Sequence, residues 1–233
     1  MIRAVFFDWF HTLARFDPPR EQLYCQAFLK SGIKLSPEAI MHSILIADQY
    51  FFAENTKSPI ADRNPEEQLS VYIKYPQTIL NEAKINAPKE LCIEVIKNVR
   101  ENFTNVAFSL FDDVLLTLKD LKQQKLTLGL LTNLDSDMVS ICRNLGLEAY
   151  IDFMVTAKEA GADKPNPPIF LAALVKAETN AQEAIHVGDQ YNFDVVGARN
   201  VGINPILIDR YDTHPEVSDC PQIHSLTEIS QYL

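Results

Sequence analysis

The chain has 233 residues, 47% hydrophobic and 22% charged, which is enough for one sizeable core, or a core plus a smaller satellite domain, and is not the composition of a disordered chain. Its formal net charge of -10 would repel a polyanion over most of the surface, which speaks against nucleic acid or an anionic membrane as partner but leaves room for a local positive site that takes a small anion. Cys25, Cys92, Cys142 and Cys220 are scattered with no CxxC pair, a pattern of reduced thiols in a cytoplasmic protein rather than of a disulfide framework or zinc site; the apolar start at 4–7 is too short for a signal peptide, and no run reaches membrane-spanning length.

Residues 3–8, RAVFFD, predict a short buried strand, apolar on both faces as in a parallel sheet covered by helices. A helix follows with Leu23, Ala27 and Phe28 at helical spacing, stopped by Gly32. Ser36-Pro37 opens another, with Ile40, Ile44, Ala47 and Phe51 on one face. Two more are expected at 65–73 and 88–103, the latter with a stripe of Leu91, Val95, Val99 and Phe103. Then the pattern changes. Asp112 and Asp113 start a helix through Leu115, Leu118 and Leu121 that ends in Lys122 and Lys125, acid first and base last as the helix dipole favours. Strand 126–131, helix 136–145 (with Asp135 and Asp137 at its start), strand 153–156, helix 168–177, strand 184–187, helix 194–200 and strand 206–209 complete the chain. This alternation predicts an α/β fold with a parallel sheet, residues 14–105 forming an all-helical insertion after the first strand.

In such sheets ligands bind beyond the carboxyl ends of the strands. Three of the expected strands end in Asp8, in Thr132-Asn133 and in Gly188-Asp189, with Asp194 further on; strand 153–156 feeds the loop holding Lys164-Pro165. Asp8 is a candidate nucleophile or metal ligand. Asp189 and Asp194 add two carboxylates, a set that suits a hard divalent cation such as Mg²⁺, since three acids this close would otherwise repel and raise one another's pKa. Thr132, Asn133 and Lys164 offer a hydroxyl, an amide and a positive charge for the oxygens of a phosphoryl group. His186, inside a strand, reads as core rather than as a ligand.

Four stretches carry a resemblance. VFFDWFHT with Asp8 and Thr12, LGLLTN with Thr132, GADKPNPPIF with Lys164, and IHVGDQYNFDVVGA with Asp189 and Asp194 stand in the order found in the haloacid dehalogenase superfamily of hydrolases, mostly phosphatases. The resemblance covers 1–13 and 106–233 and implies a Rossmann-like three-layer catalytic core, with 14–105 as a helical cap domain. It implies a covalent mechanism in which Asp8 forms an aspartyl-phosphate, Thr132 and Lys164 neutralise the transferring group, and Mg²⁺ is held by Asp8, Asp189, the backbone carbonyl of Phe10, and Asp194 directly or through water. The expected partner is a small anionic substrate such as a phosphate ester.

The sequence departs from the family at two neighbouring positions. The phosphatases carry, two residues after the nucleophile, an aspartate that protonates the leaving oxygen; here it is Phe10. General acid help is worth roughly 10²–10⁴ in rate, so weakly basic leaving groups should suffer least. His11 stands where glycine is usual, as a stand-in proton donor or a tolerated loop residue. The family's haloacid dehalogenases also lack that aspartate and use no metal, but they lose the acid matched here by Asp189 and carry an arginine early in the cap for the substrate carboxylate. Arg15 and Arg20 are the nearest substitutes here, expected to be solvated. A 2-haloacid dehalogenase-type hydrolase and a low-turnover anion- and metal-binding regulator are therefore the alternatives to a Mg²⁺-dependent phosphatase.

Overall fold

The computed structural model describes residues 1–103, 106–134 and 137–233. It falls into two compact units: Met1–Arg15 with Phe108–Leu233, and Phe16–Ala107. Among the described residues no helix is long and apolar enough to cross a membrane.

The first unit is built on a six-stranded sheet. Its strands are β1 (Ala4–Phe7), β4 (Thr127–Thr132), β5 (Phe153–Thr156), β6 (Ala184–Gly188), β7 (Asn204–Ile208) and β8 (Gln222–Ile223). Every pairing is parallel, in the order β5-β4-β1-β6-β7-β8. β1 is buried along its whole length, and its alternating side chains enter two different cores. Val5 and Phe7 join Leu118, Leu121, Met138 and Leu226 on one face. Ala4 and Phe6 join Ile169, Phe170, Ala173 and Ala198 on the other. Helices α5 (Val114–Gln123) and α6 (Met138–Asn144) thus cover one side, and after the single turn α7 (Ala157–Ala160), α8 (Pro167–Lys176) and α9 (Val196–Asn200) cover the other, giving the three layers expected.

The second unit is helical: α1 (Arg20–Lys30), α2 (Pro37–Lys57), α3 (Pro65–Glu82) and α4 (Lys89–Asn102). The stripe residues Ile40, Ile44 and Ala47 of α2 and Val95 of α4 share its core with Phe28, Ile79, Leu80 and Cys92. α2 begins as expected, with the Ser36 hydroxyl accepting from Ala39 N and Pro37 in the first turn.

Several local expectations are corrected. α3 does not stop at 73 but runs to Glu82 through Pro76. Pro76 lacks the N–H for one helical bond, yet it is buried with Tyr75, Ile79 and Leu80, so packing of that face overrides the local break. α5 starts at Val114 and takes no side-chain cap from Asp113; that carboxylate is engaged elsewhere, and Leu115 is 41% exposed rather than part of the core face. α6 begins after an Asp137 cap on Ser140 N; Asp135, the expected helix start at 136 and the expected unit boundary at 105 lie outside the described residues. The segment expected as one helix from 194 is a wide helical turn, Tyr191–Val195, leading into α9. Two four-residue strands, β2 (Ala14–Asp17) and β3 (Ala107–Leu110), pair as a separate ribbon that the periodicity did not signal.

Candidate active site

Parallel pairing with consistent register places the strand ends side by side. Phe7 of β1 is level with Leu130 of β4 and with Val187 of β6. Asp8 therefore emerges between Thr132 and Asp189. The chain leaves β1 toward β4 on one side and has β6 on the other, which is where a crevice opens in sheets of this kind. The Asp8 backbone N–H donates to Val187 O at 2.8 Å, tying the nucleophile candidate to β6.

Lys164 is the hub. It is 3% exposed, and its ammonium donates to Asp8 Oδ1 and, at 2.7 Å, to Asp194 Oδ1. The loop that presents it is held by Asn133, whose side-chain oxygen accepts from Lys164 N at 2.8 Å while its amide nitrogen donates to Lys164 O at 3.2 Å. Asn133 was expected at the anion; both ends of its side chain are instead spent on the lysine's main chain. Thr132 is buried at the end of β4, and its Oγ1 accepts from Leu134 N at 3.1 Å. That bond leaves its hydroxyl proton available to donate.

Asp194 is placed by the wide turn. Its N–H donates to Gln190 O at 2.8 Å, and Gln190 N donates back to its Oδ2 at 3.1 Å. His186 Nε2 lies 2.9 Å from Oδ1, so this histidine is buried as expected but bonded to the site. Asp189 differs: its Oδ1 is buried and has no hydrogen-bond partner among the described residues. One oxygen of each of Asp8, Asp189 and Asp194 lies within 4.8 Å of the others.

The electrostatics follow from burial and the Lys164 cation. Burial pushes the Asp8 carboxyl up to about 6, against the pull of the Lys164 ammonium and helped by the Asp194 charge. Burial, then Asp8 and Asp194, push Asp189 well above the carboxylate range. Burial works against the ionised Asp194 too, but Lys164 and the His186 hydrogen bond outweigh it and hold that carboxyl low. Burial opposes the charge on Lys164, and Asp194 and Asp8 more than restore it. Among the described residues three acids share one lysine, and one buried carboxylate oxygen is left over. That is a donor set which fits a divalent cation.

Phe10 and His11 follow in a tight turn closed by His11 N to Ala14 O at 2.7 Å and Ala14 N to Trp9 O at 3.0 Å. His11 has φ 63°, the left-handed region, which accounts for a glycine-like position there. Its ring packs on Phe10, centroids 4.2 Å apart, and stands edge-on to Tyr211 at 5.5 Å. Trp9 is buried in the core of the first unit, edge-on to Phe108. Thr12 is buried, and its carbonyl accepts from the Arg210 guanidinium at 2.9 Å. Arg210 also pairs with both oxygens of Asp113 and lies 4.0 Å over the Phe111 ring. This brace joins distant segments and had no local sequence signal. In the helical unit Arg20 is not solvated: it is bidentate on Asp48, with Nη1 to Oδ1 at 2.7 Å, and Tyr75 Oη donates to the same oxygen at 2.5 Å. Arg15 lies over the Phe111 ring at 5.2 Å.

The family model described as haloacid dehalogenase-like hydrolase matches residues 44–208, well over half of the chain. The haloacid dehalogenase-like hydrolase domain-containing protein 3 of Danio rerio is 26% identical over 99% of this chain and 94% of its own length. A ribulose-1,5-bisphosphate 5-phosphatase of Halopiger xanaduensis is 34% identical over 43% of each chain. Among solved structures, the hydrolase YfnB of Bacillus subtilis bound to magnesium superposes with a TM-score of 0.65 at 19% identity, covering 100% of this chain and 98% of that one. A 2-haloacid dehalogenase of Pseudomonas syringae gives 0.56 at 25% identity, covering 99% and 97%.

Proposed function

The chain belongs to the haloacid dehalogenase-like hydrolases, and from that premise we propose that it is a Mg²⁺-dependent phosphatase of small anionic molecules that works through an aspartyl-phosphate on Asp8. The observation that carries the reading is the buried Asp8–Lys164–Asp194 chain beside an Asp189 oxygen that has no hydrogen-bond partner among the described residues. In this reading the catalytic core is the sheet unit, the helical unit serves as the substrate-selecting cap, and the protein works in the cytoplasm.

Asp8 attacks phosphorus in line: a bond forms from its carboxylate oxygen as the bond to the leaving oxygen breaks. The Lys164 ammonium and the Thr132 hydroxyl hold the phosphoryl oxygens as charge shifts. Asn133 acts one step back, fixing the backbone of Lys164. Asp8, Asp189 and the Phe10 carbonyl would hold the metal. Asp194, whose oxygens already accept from Lys164, His186 and Gln190, would join through water. When bound, the cation would supply further neutralisation of the phosphoryl charge. Water then attacks the phosphorus of the aspartyl-phosphate, releasing inorganic phosphate and restoring Asp8. Phe10 cannot protonate the leaving oxygen, so esters whose oxygen departs readily as an anion should be the better substrates.

The absence of an acid at position 10 would equally suit halide displacement from carbon. Against that stand the retained Asp189 and the commitment of Arg20 to Asp48. Hydrolysis of para-nitrophenyl phosphate with Mg²⁺ and with chelator, with Asp8→Asn as control, separates the readings. The account expects turnover that chelator and the substitution each abolish. Metal-independent halide release from a 2-haloacid would replace it with the dehalogenase reading. Absence of both activities, with stabilisation by phosphate and Mg²⁺, would replace it with the low-turnover binding role.

A further inference from the structure

β6 is buried at every position, yet its third residue is an imidazole. His186 Nε2 lies 2.9 Å from Asp194 Oδ1, and its Nδ1 is buried with no hydrogen-bond partner among the described residues. A proton on Nδ1 would be stranded in the core, so it resides on Nε2 and is donated to the carboxylate. An aliphatic side chain would fill the same space and leave no orphaned nitrogen.

The surroundings are cut to this pair. His186 and Gly188 share one face of β6, and a Cβ on Gly188 would overlap the Asp194 side chain. Gly188 supplies the room in which Asp194 lies, and His186 supplies the donor that orients it. Phe170 of α8 stands edge-on to the imidazole, centroids 5.2 Å apart at 89°. A Cβ on Gly197 of α9 would come within 2.6 Å of the Phe170 ring, so that glycine lets the ring seat the histidine. The same Asp194 Oδ1 accepts from Lys164 Nζ, which also reaches Asp8.

We propose that His186 is a positioning residue of the phosphoryl-transfer centre: its Nε2–H fixes Asp194, which in turn aims the Lys164 ammonium at Asp8. The catalytic consequence rests on the phosphatase reading; the hydrogen bond does not. The test compares wild type, His186→Leu and His186→Gln with para-nitrophenyl phosphate and Mg²⁺, with folding followed by circular dichroism. Leucine should lower kcat about 10–100-fold, as loss of a partner behind an active-site ligand typically does, and glutamine, which can donate to the same oxygen, should recover most of it. Equal kcat in a folded leucine variant, or glutamine no better than leucine, overturns the proposal. The second arm needs neither turnover nor the leucine variant's folding. ¹⁵N-histidine spectra of the wild type should show His186 as the neutral Nε2–H tautomer, with a hydrogen-bonded proton that shifts in Asp194→Asn. An Nδ1–H tautomer overturns the proposal outright. If the wild type shows the expected tautomer but no turnover, the phosphatase reading fails and takes the catalytic role with it, while the Asp194 anchor stands.

Discussion

Asp189 and Asp194 leave the same strand end and meet opposite fates. Asp194 accepts from Lys164, His186 and Gln190, and is held ionised. Asp189 keeps a buried oxygen with no hydrogen-bond partner among the described residues and is pushed toward the neutral acid. The same amino acid is thus an anchor at one position and an open ligand at the other. Phe10 has no proton to give a leaving oxygen. Phe10→Asp should raise hydrolysis of alkyl phosphates, by up to roughly 10²–10⁴ if proton transfer to the leaving oxygen is what limits them. The ratio of alkyl to para-nitrophenyl phosphate kcat/KM measures this; no rise in a folded variant would show that the site has diverged elsewhere as well. The residues of this candidate site were legible where charges stand at a strand end or in the loop that follows one: Asp8 and Asp189 at the ends of β1 and β6, Lys164 and Asp194 further along the chain after β5 and β6. His186 was not, because one polar residue in an apolar strand looks the same in sequence whether it is filler or donor. Asn133 was legible as polar, but its bonds to the Lys164 main chain depend on a loop thirty-one residues away.

At the scale of elements, two buried polar clusters hold helices to their neighbours. In the helical unit Arg20 of α1, Asp48 of α2 and Tyr75 of α3 form one network, with Tyr24 stacked on Tyr75 at 5.3 Å. Asp48→Ala would leave a guanidinium buried without its counter-ion. It should cost about 3–5 kcal/mol in urea unfolding, and a loss below about 1 kcal/mol would show that the network is solvated in practice. In the sheet unit Asp113, just before α5, accepts from Arg210, the Ser225 hydroxyl and Leu226 N. Burial would raise its carboxyl, but these bonds outweigh burial and lower it. A lowered folded pKa means the stabilisation is complete above about pH 4 and is lost as pH falls through the folded value. Asp113→Asn should therefore reduce Tm at neutral pH and flatten the acid-side decline of Tm. Parallel curves for the two proteins would contradict this. Neither cluster could be read from sequence, since each joins side chains from separate elements. The passage of α3 through Pro76 and the four-residue strands β2 and β3 escaped for a related reason: packing and pairing with distant residues outweigh weak local signals.

For the whole molecule, the order of strands and helices after residue 106 contained most of the sheet unit, because a parallel sheet covered on both faces writes itself as alternating apolar runs and amphipathic helices. The family match over residues 44–208 adds that the chain is a haloacid dehalogenase-like hydrolase, and its net charge of -10 opposes a polyanion. What unites these levels is one claim, that Asp8 becomes covalently phosphorylated. Acid quenching during turnover of para-nitrophenyl phosphate, followed by peptide mass mapping, tests it most directly. The account predicts a phosphoryl adduct on the peptide that carries Asp8, absent from Asp8→Asn. Turnover without any adduct, in enzyme quenched before the first cycle is complete, would contradict the covalent mechanism and leave Asp8 as a metal ligand alone.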